Sequence, residues 1–174
     1  MDLDGVEDGD QGKGRHPRDH GRDYAGASIH AATAALRALL PVWSDGRLRV
    51  AIDLHCPWIA GEHSEVVYLV GAEEPRAARA QRRFSEILET VQTGPLPFVA
   101  ADYLPFGCAW NTRANYTEGQ GFSHWSQTLR SVVLGTAIEI PYANARGAEV
   151  NQTSARLLGR DLAAAIAACL KENK

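Results

Sequence analysis

Four short clusters in this 174-residue chain carry residue types that could do chemistry: Arg15, Arg22-Asp23-Tyr24, Asp53-Leu54-His55 and Glu139-Ile140-Pro141-Tyr142. His55 directly follows the apolar run LRVAIDL (48–54) and precedes Cys56-Pro57. Open α/β sheets place their ligand sites at strand C-termini, so His55 is a candidate metal ligand or acid–base group. The competing explanation is a hydrogen-bonded histidine at a sheet edge. Asp53, earlier on the same run, is expected to face the other side of the sheet and to orient a neighbour rather than share the ligand's role.

Glu139 sits inside TAIEIPY (136–142). A carboxylate in a buried strand is costly unless paired, metal-bound or protonated. That cost makes Glu139 the best general-base candidate, its proton affinity tuned by burial and neighbouring charge. A strand-end glutamate paired with an arginine is the structural alternative. Arg15 and Arg22 are seven apart in a glycine-rich stretch. Guanidinium groups bind carboxylates and oxyanions in bidentate fashion, although spacing alone does not separate these two from solvated arginines. Tyr116 lies in a long loop ahead of Glu139, where it could cover a ligand or simply pack.

The elements that must position these groups follow from periodicity. Residues 2–23 read as loop. Ile29, Ala32, Leu36, Leu39 and Trp43 recur at helical spacing, predicting a helix from Ser28 to Leu40 that Pro41 stops. Three apolar runs predict strands: 48–54, 66–70 and 132–140. Glu73-Glu74-Pro75 opens a helix ending at Thr93-Gly94-Pro95. Leu96 to Gly121 reads as a long ordered loop, Ser123 to Arg130 as a short helix, and Thr153 or Ser154 as the start of a last helix. Alternating helices and strands give an α/β layer fold with a mixed, largely parallel central sheet flanked by helices. Three strands are few for such a sheet, and the leading loop has no strand before it. The chain is therefore expected to be one domain, 1–174, that is incomplete at its front.

Composition narrows the function. Net charge is −3, with 45% apolar and 22% charged residues, which points away from nucleic acid and from membrane surfaces. No run reaches the roughly 18 apolar residues of a membrane span. Cys56, Cys108 and Cys169 are few and widely spaced, so a reducing, cytoplasmic setting is expected. Asp2, Asp4, Asp8 and Asp10 do not follow calcium-loop spacing. There is no H-E-x-x-H, G-x-S-x-G, phosphate loop or dinucleotide fingerprint.

Taken in order, the segments resemble the M14 family of zinc metallocarboxypeptidases, in particular bacterial members related to cytosolic carboxypeptidases. DLDGVEDGDQGKGR (2–15) resembles the family's Asp-Gly-Val segment ending in arginine. HGRDY (20–24) resembles its Asn-Arg-Asp-Tyr segment, DLHC (53–56) the strand ending in the third zinc ligand, and IEIPYAN (138–144) the strand of the catalytic glutamate. The resemblance implies a zinc-carboxypeptidase-like fold and hydrolysis of a C-terminal peptide or amide bond. His55 would be a zinc ligand. Glu139 would take a proton from the attacking water and pass it to the leaving amine. Arg15 would stabilise the oxyanion, Arg22 would grip the terminal carboxylate, and Tyr116 would close over the substrate. The implied partner is a peptide or amino-acid conjugate with a free C-terminal carboxylate. By analogy with the cytosolic branch that substrate would end in an acidic residue, specificity lying in the long loop and near Val133–Ala137.

Two departures bear on this. Gly21 stands where the family carries asparagine, and no H-x-x-E zinc motif is present. Only one of the three protein ligands of a catalytic zinc is then supplied. The chain is expected to be an N-terminally truncated, impaired hydrolase, with a non-catalytic carboxylate- or peptide-binding pseudoenzyme module as the alternative. A truncated sheet would also leave a strand edge open to self-association.

Overall fold

The computed structural model describes residues 7, 9 and 15–173. Most of the Asp-Gly-Val segment and the four aspartates of the calcium reading lie outside the described residues. The fold is mixed α/β. In chain order the elements are α1 (Ala31–Ser44), β1 (Val50–His55), β2 (Tyr68–Val70), α2 (Pro75–Val91), α3 (Phe122–Gln127), β3 (Leu134–Glu139), β4 (Asn144–Ala145), β5 (Ala148–Glu149) and α4 (Gln152–Glu172).

The main sheet has the order β1-β3-β2, with β1 parallel and β2 antiparallel to β3. It is thus evenly mixed among the described residues, not largely parallel. Strand β2 reverses because the connection from β1 is a compact turn region through Gly61 and Ser64 rather than a crossover helix. Strands β4 and β5 form a separate hairpin.

Alternation along the strands divides the sheet into two faces. Leu134 and Ile138 of β3, with Leu69 of β2 and the partly buried Val50 and Ile52 of β1, face the main core. There Phe84, Ile87 and Leu88 of α2 meet Leu158, Leu162 and Ala165 of α4. Each fully buried leucine, isoleucine or phenylalanine among them contributes about 1.5–3 kcal/mol by leaving water. Gly135, Ala137 and Glu139 point the other way. Helix α3 lies so close to that second face that a Cβ on Gly135 would come within 2.7 Å of Ser126 Oγ.

Buried amides lock the layers together. Gln81 on α2 is 1% exposed. Its Oε1 accepts from Ala72 N at 2.7 Å and its Nε2 donates to Gly135 O at 2.8 Å. Asp161 on α4 accepts from Thr93 N and Gly94 N, both at 3.0 Å, tying α4 to the end of α2.

Helix boundaries follow their caps. Asp23 accepts from Ile29 N and His30 N at 3.0 Å, so α1 begins at Ala31 rather than Ser28. Pro41 does not stop α1. It lies one turn from the end, where it forfeits little, and the helix runs to Ser44 before Asp45 turns left-handed (φ 48°). Glu74 caps α2 through Arg76 N and Ala77 N, and Asn151 with Ser154 forms a capping box for α4. The short helix ends at Gln127, before the expected Arg130.

Two surfaces are open. No described strand pairs with the outer edge of β1, and α1 leaves Leu39, Val42 and Trp43 exposed. The outer edge of β2 is covered by bridges to Phe98 and Leu104 of the long loop.

Phe84→Ala is expected to cost about 3–5 kcal/mol through the cavity it leaves. Gln81→Ala should cost about 1–3 kcal/mol by stripping a buried N–H of its acceptor. Urea unfolding followed by circular dichroism checks both, and a Gln81→Ala loss near zero would show that water replaces the amide.

Candidate active site

The second face of the sheet collects the chemistry. In the β1–β3 register His55 lies opposite Glu139, and in the β3–β2 register Tyr68 does. Partners at matched positions share a face with Cβ atoms about 4.5–5.5 Å apart. His55, Glu139 and Tyr68 therefore form one row across three strands, at the C-terminal ends of the two parallel ones.

Asp53 belongs to this face, contrary to expectation. It lies two residues before His55, so the strand's period of two turns both side chains the same way. Asp53 Oδ2 is 3.1 Å from His55 Nε2, which holds the ring and leaves Nδ1 for other use. The side chain of His55 is 45% exposed. Its hydrogen bond with Asp53 raises its proton affinity. Burial opposes this, and the charges of Asp53, Glu139 and Asp19 reinforce it.

Glu139 is 7% exposed, and its Oε2 has no hydrogen-bond partner among the described residues. Burial pushes its carboxyl above the usual glutamate range, the nearby His55 partly offsets this, and Asp53 adds to it. The paired-arginine alternative finds no support here. A carboxylate that is buried, short of partners and next to an imidazole is suited to accept a proton.

Arg22 ends a short 3-10 turn, His20–Arg22, capped by Asp19 through Gly21 N at 2.9 Å. Its guanidinium lies 5.1 Å from the centre of the Tyr116 ring. The loop reaches it because Gly119 (φ 143°) presses on Arg22, where a Cβ would sit 2.1 Å from the carbonyl oxygen. Tyr116 is half-buried, its ring 4.6 Å from that of His124. Its hydroxyl donates to Asn111 Oδ1 at 2.7 Å. Asn111 is fully buried, and its Nδ2 donates to Gly71 O and Leu104 O. Burial raises the Tyr116 phenol, with the charges of Arg22 and Glu139 acting in opposite senses. Burial and then Arg22 lower His124.

The arrangement thus brings together His55, Glu139, Tyr116 and Arg22. Arg15 is half-buried with its Nε enclosed. Asp53 was expected to orient a neighbour, and it holds His55, though from the same face; Tyr68, Asn111 and His124 were not singled out by their sequence context. Counting two along β1 finds Asp53. The other three are fixed by pairing across the chain, which no local pattern announces.

As for a metal, the described residues contain no group of three or more His, Cys, Asp or Glu placed to hold one. His55, oriented by Asp53, fits one ligand position of a zinc site. Cys56, the next residue, is exposed.

Asp53→Asn should lower the His55 pKa, read from its ring resonances during an NMR titration. The folded chain holds that proton more tightly than an unfolded imidazole does. The resulting stabilisation is present below the unfolded pKa and lost as pH rises through the folded one. Glu139 also titrates above its unfolded value, so its ionised form weighs against folding at neutral pH. Glu139→Gln should therefore stabilise the fold near pH 7 by on the order of 1 kcal/mol, with the gain vanishing as pH falls below the usual glutamate range. Thermal melts at both pH values check this, and a less stable variant would show that the carboxylate is held by favourable contacts. No protein-family model matches the chain, and no curated protein matches it.

Proposed function

We propose that the face carrying His55 and Glu139 is part of a metallocarboxypeptidase-like hydrolytic site that cleaves a C-terminal peptide or amide bond. One observation carries this reading: a buried carboxylate, one of whose oxygens has no hydrogen-bond partner among the described residues, lies in register beside a carboxylate-oriented histidine, at the C-terminal ends of two parallel strands. The reading takes the sheet as part of a zinc-carboxypeptidase-like fold. The free, widely spaced cysteines suit a reducing compartment such as the cytoplasm. No described helix is long and apolar enough to cross a membrane.

In this reading His55, held by Asp53, would be one of the residues that hold zinc, and no group of three ligands is found among the described residues. When bound, the ion would supply Lewis-acid polarisation of the scissile carbonyl and acidify water. Glu139 accepts the proton of the attacking water and delivers it to the departing amine nitrogen. Arg22 pairs with the terminal carboxylate of the peptide, leaving Tyr116 to close over it. Arg15 steadies the oxyanion of the tetrahedral intermediate.

A second reading keeps the binding and drops the hydrolysis. It is favoured by the lack of a three-ligand group among the described residues. Arg22 would then hold a carboxylate-bearing peptide without metal.

Calorimetric titration with zinc, then hydrolysis of N-blocked dipeptides with zinc added, tests the two. Weak zinc binding that His55→Ala abolishes, with turnover that Glu139→Gln lowers by about 10²–10⁴-fold, supports the hydrolase. Peptide binding that persists in chelator, needs Arg22 and never leads to cleavage supports the binding module. Submicromolar zinc affinity unchanged in His55→Ala would remove His55 from the metal.

A further inference from the structure

Arg22 receives no help from its own turn in holding a carboxylate. Asp19 caps the turn through Gly21 N, Gly21 has no side chain, and the His20 ring is stacked on that of His30 with centres 3.6 Å apart. A second nitrogen-bearing side chain reaches Arg22 from a distant part of the chain. Tyr116 meets both Arg22, whose guanidinium lies 5.1 Å from its ring centre, and His124, whose ring centre lies 4.6 Å from it. The Tyr116 hydroxyl is turned to Asn111. A guanidinium and an imidazole thus gather round one aromatic ring.

The surrounding structure keeps them there. Gln120 bridges to Asp23, and its carbonyl accepts from Tyr24 N at 3.1 Å. Tyr24 packs on Phe122 and Trp125, with ring centres 5.6 and 5.9 Å away. Helix α3, which carries His124, is therefore fastened to the segment that carries Arg22. The same helix lies on the face of His55 and Glu139: a Cβ on Gly135 would come within 3.2 Å of Ser123 O.

Charge decides what the pair can do. The groups around the His124 ring are Arg22 from the turn, Tyr116 from the long loop, and Glu73 from the approach to α2, itself engaged by Arg113. Burial and then the Arg22 charge hold His124 below the ordinary imidazole range, and Glu73 acts the other way. The ring is thus uncharged at neutral pH. A carboxylate arriving beside Arg22 reverses the balance, because it offsets the guanidinium charge and adds a negative one. The protonated ring then makes a stronger bond to it than the neutral ring would. We propose that His124 is the second group of the carboxylate site, binding the carboxylate together with Arg22 and taking up a proton as it does so. This rests on the carboxylate-binding reading of Arg22.

Calorimetry of N-acetyl-Gly-Phe and N-acetyl-Gly-Phe-amide on the full chain in metal-free solution tests it, near pH 7 in two buffers of different ionisation enthalpy. The acid should bind more tightly than the amide, and with uptake of a proton. Its affinity should rise about tenfold between about pH 8 and about pH 6. In an NMR titration the His124 ring should become more basic when the acid is bound. His124→Gln, which keeps a neutral donor, should still bind the acid but lose the uptake and flatten the pH profile. If that variant fails to fold, the His124 resonances of the unaltered chain decide alone. Uptake that survives in His124→Gln, as it would if His55 supplied it, or an acid that binds without moving the His124 titration, overturns the role of His124 and leaves the carboxylate reading intact. No preference for acid over amide overturns that reading and this inference with it.

Discussion

The parallel pairing of β1 with β3 is the constraint on which everything else depends. Its register puts His55 opposite Glu139, and a slip of one residue would turn one of the two into the apolar core. The core prevents that slip. Leu134 and Ile138 of β3 are fully buried against α2 and α4, so sliding β3 would expose them and bury Glu139 among leucines. His55 and Glu139 are held side by side by hydrophobic burial on the opposite face of the same strands.

A second layer of control comes from buried amides. Gln81 braces the backbone of β3 at Gly135, on the strand that carries Glu139. Asn111 braces the long loop and points its oxygen at Tyr116. Each amide uses both ends, so neither can turn over without leaving a buried group unpaired. The long loop is thus ordered both by these polar bonds and by burial of its Leu96, Phe98 and Tyr103 in the main core.

Much of the fold was legible from the sequence. The runs at 66–70 and 132–140 contain β2 and β3, the run at 48–54 covers β1 except for His55, and α2 and α4 lie where the apolar spacing put them. Misjudged features have identifiable causes. Pro41 was given the weight of a mid-helix proline, yet it falls where one lost bond matters little. The sheet was expected to be largely parallel because strands and helices alternate, but no helix lies between β1 and β2, and β2 runs antiparallel to β3. For the site, His55 and Glu139 could be read from their places at strand ends, and Asp53 was assigned to the wrong face. Tyr68 and Asn111 owe their positions to residues far away in the chain, and their neighbours in sequence say nothing of it.

Gly119 contributes no side-chain atom, yet Arg22 can lie over Tyr116 only because the loop passes where any Cβ would strike the Arg22 carbonyl. The same residue has a backbone angle that side chains rarely adopt. Inheritance at this position is thus confined to a single amino acid by geometry alone. A survey of the site by side-chain function would pass over it, although any replacement would disturb the packing of Arg22 on Tyr116.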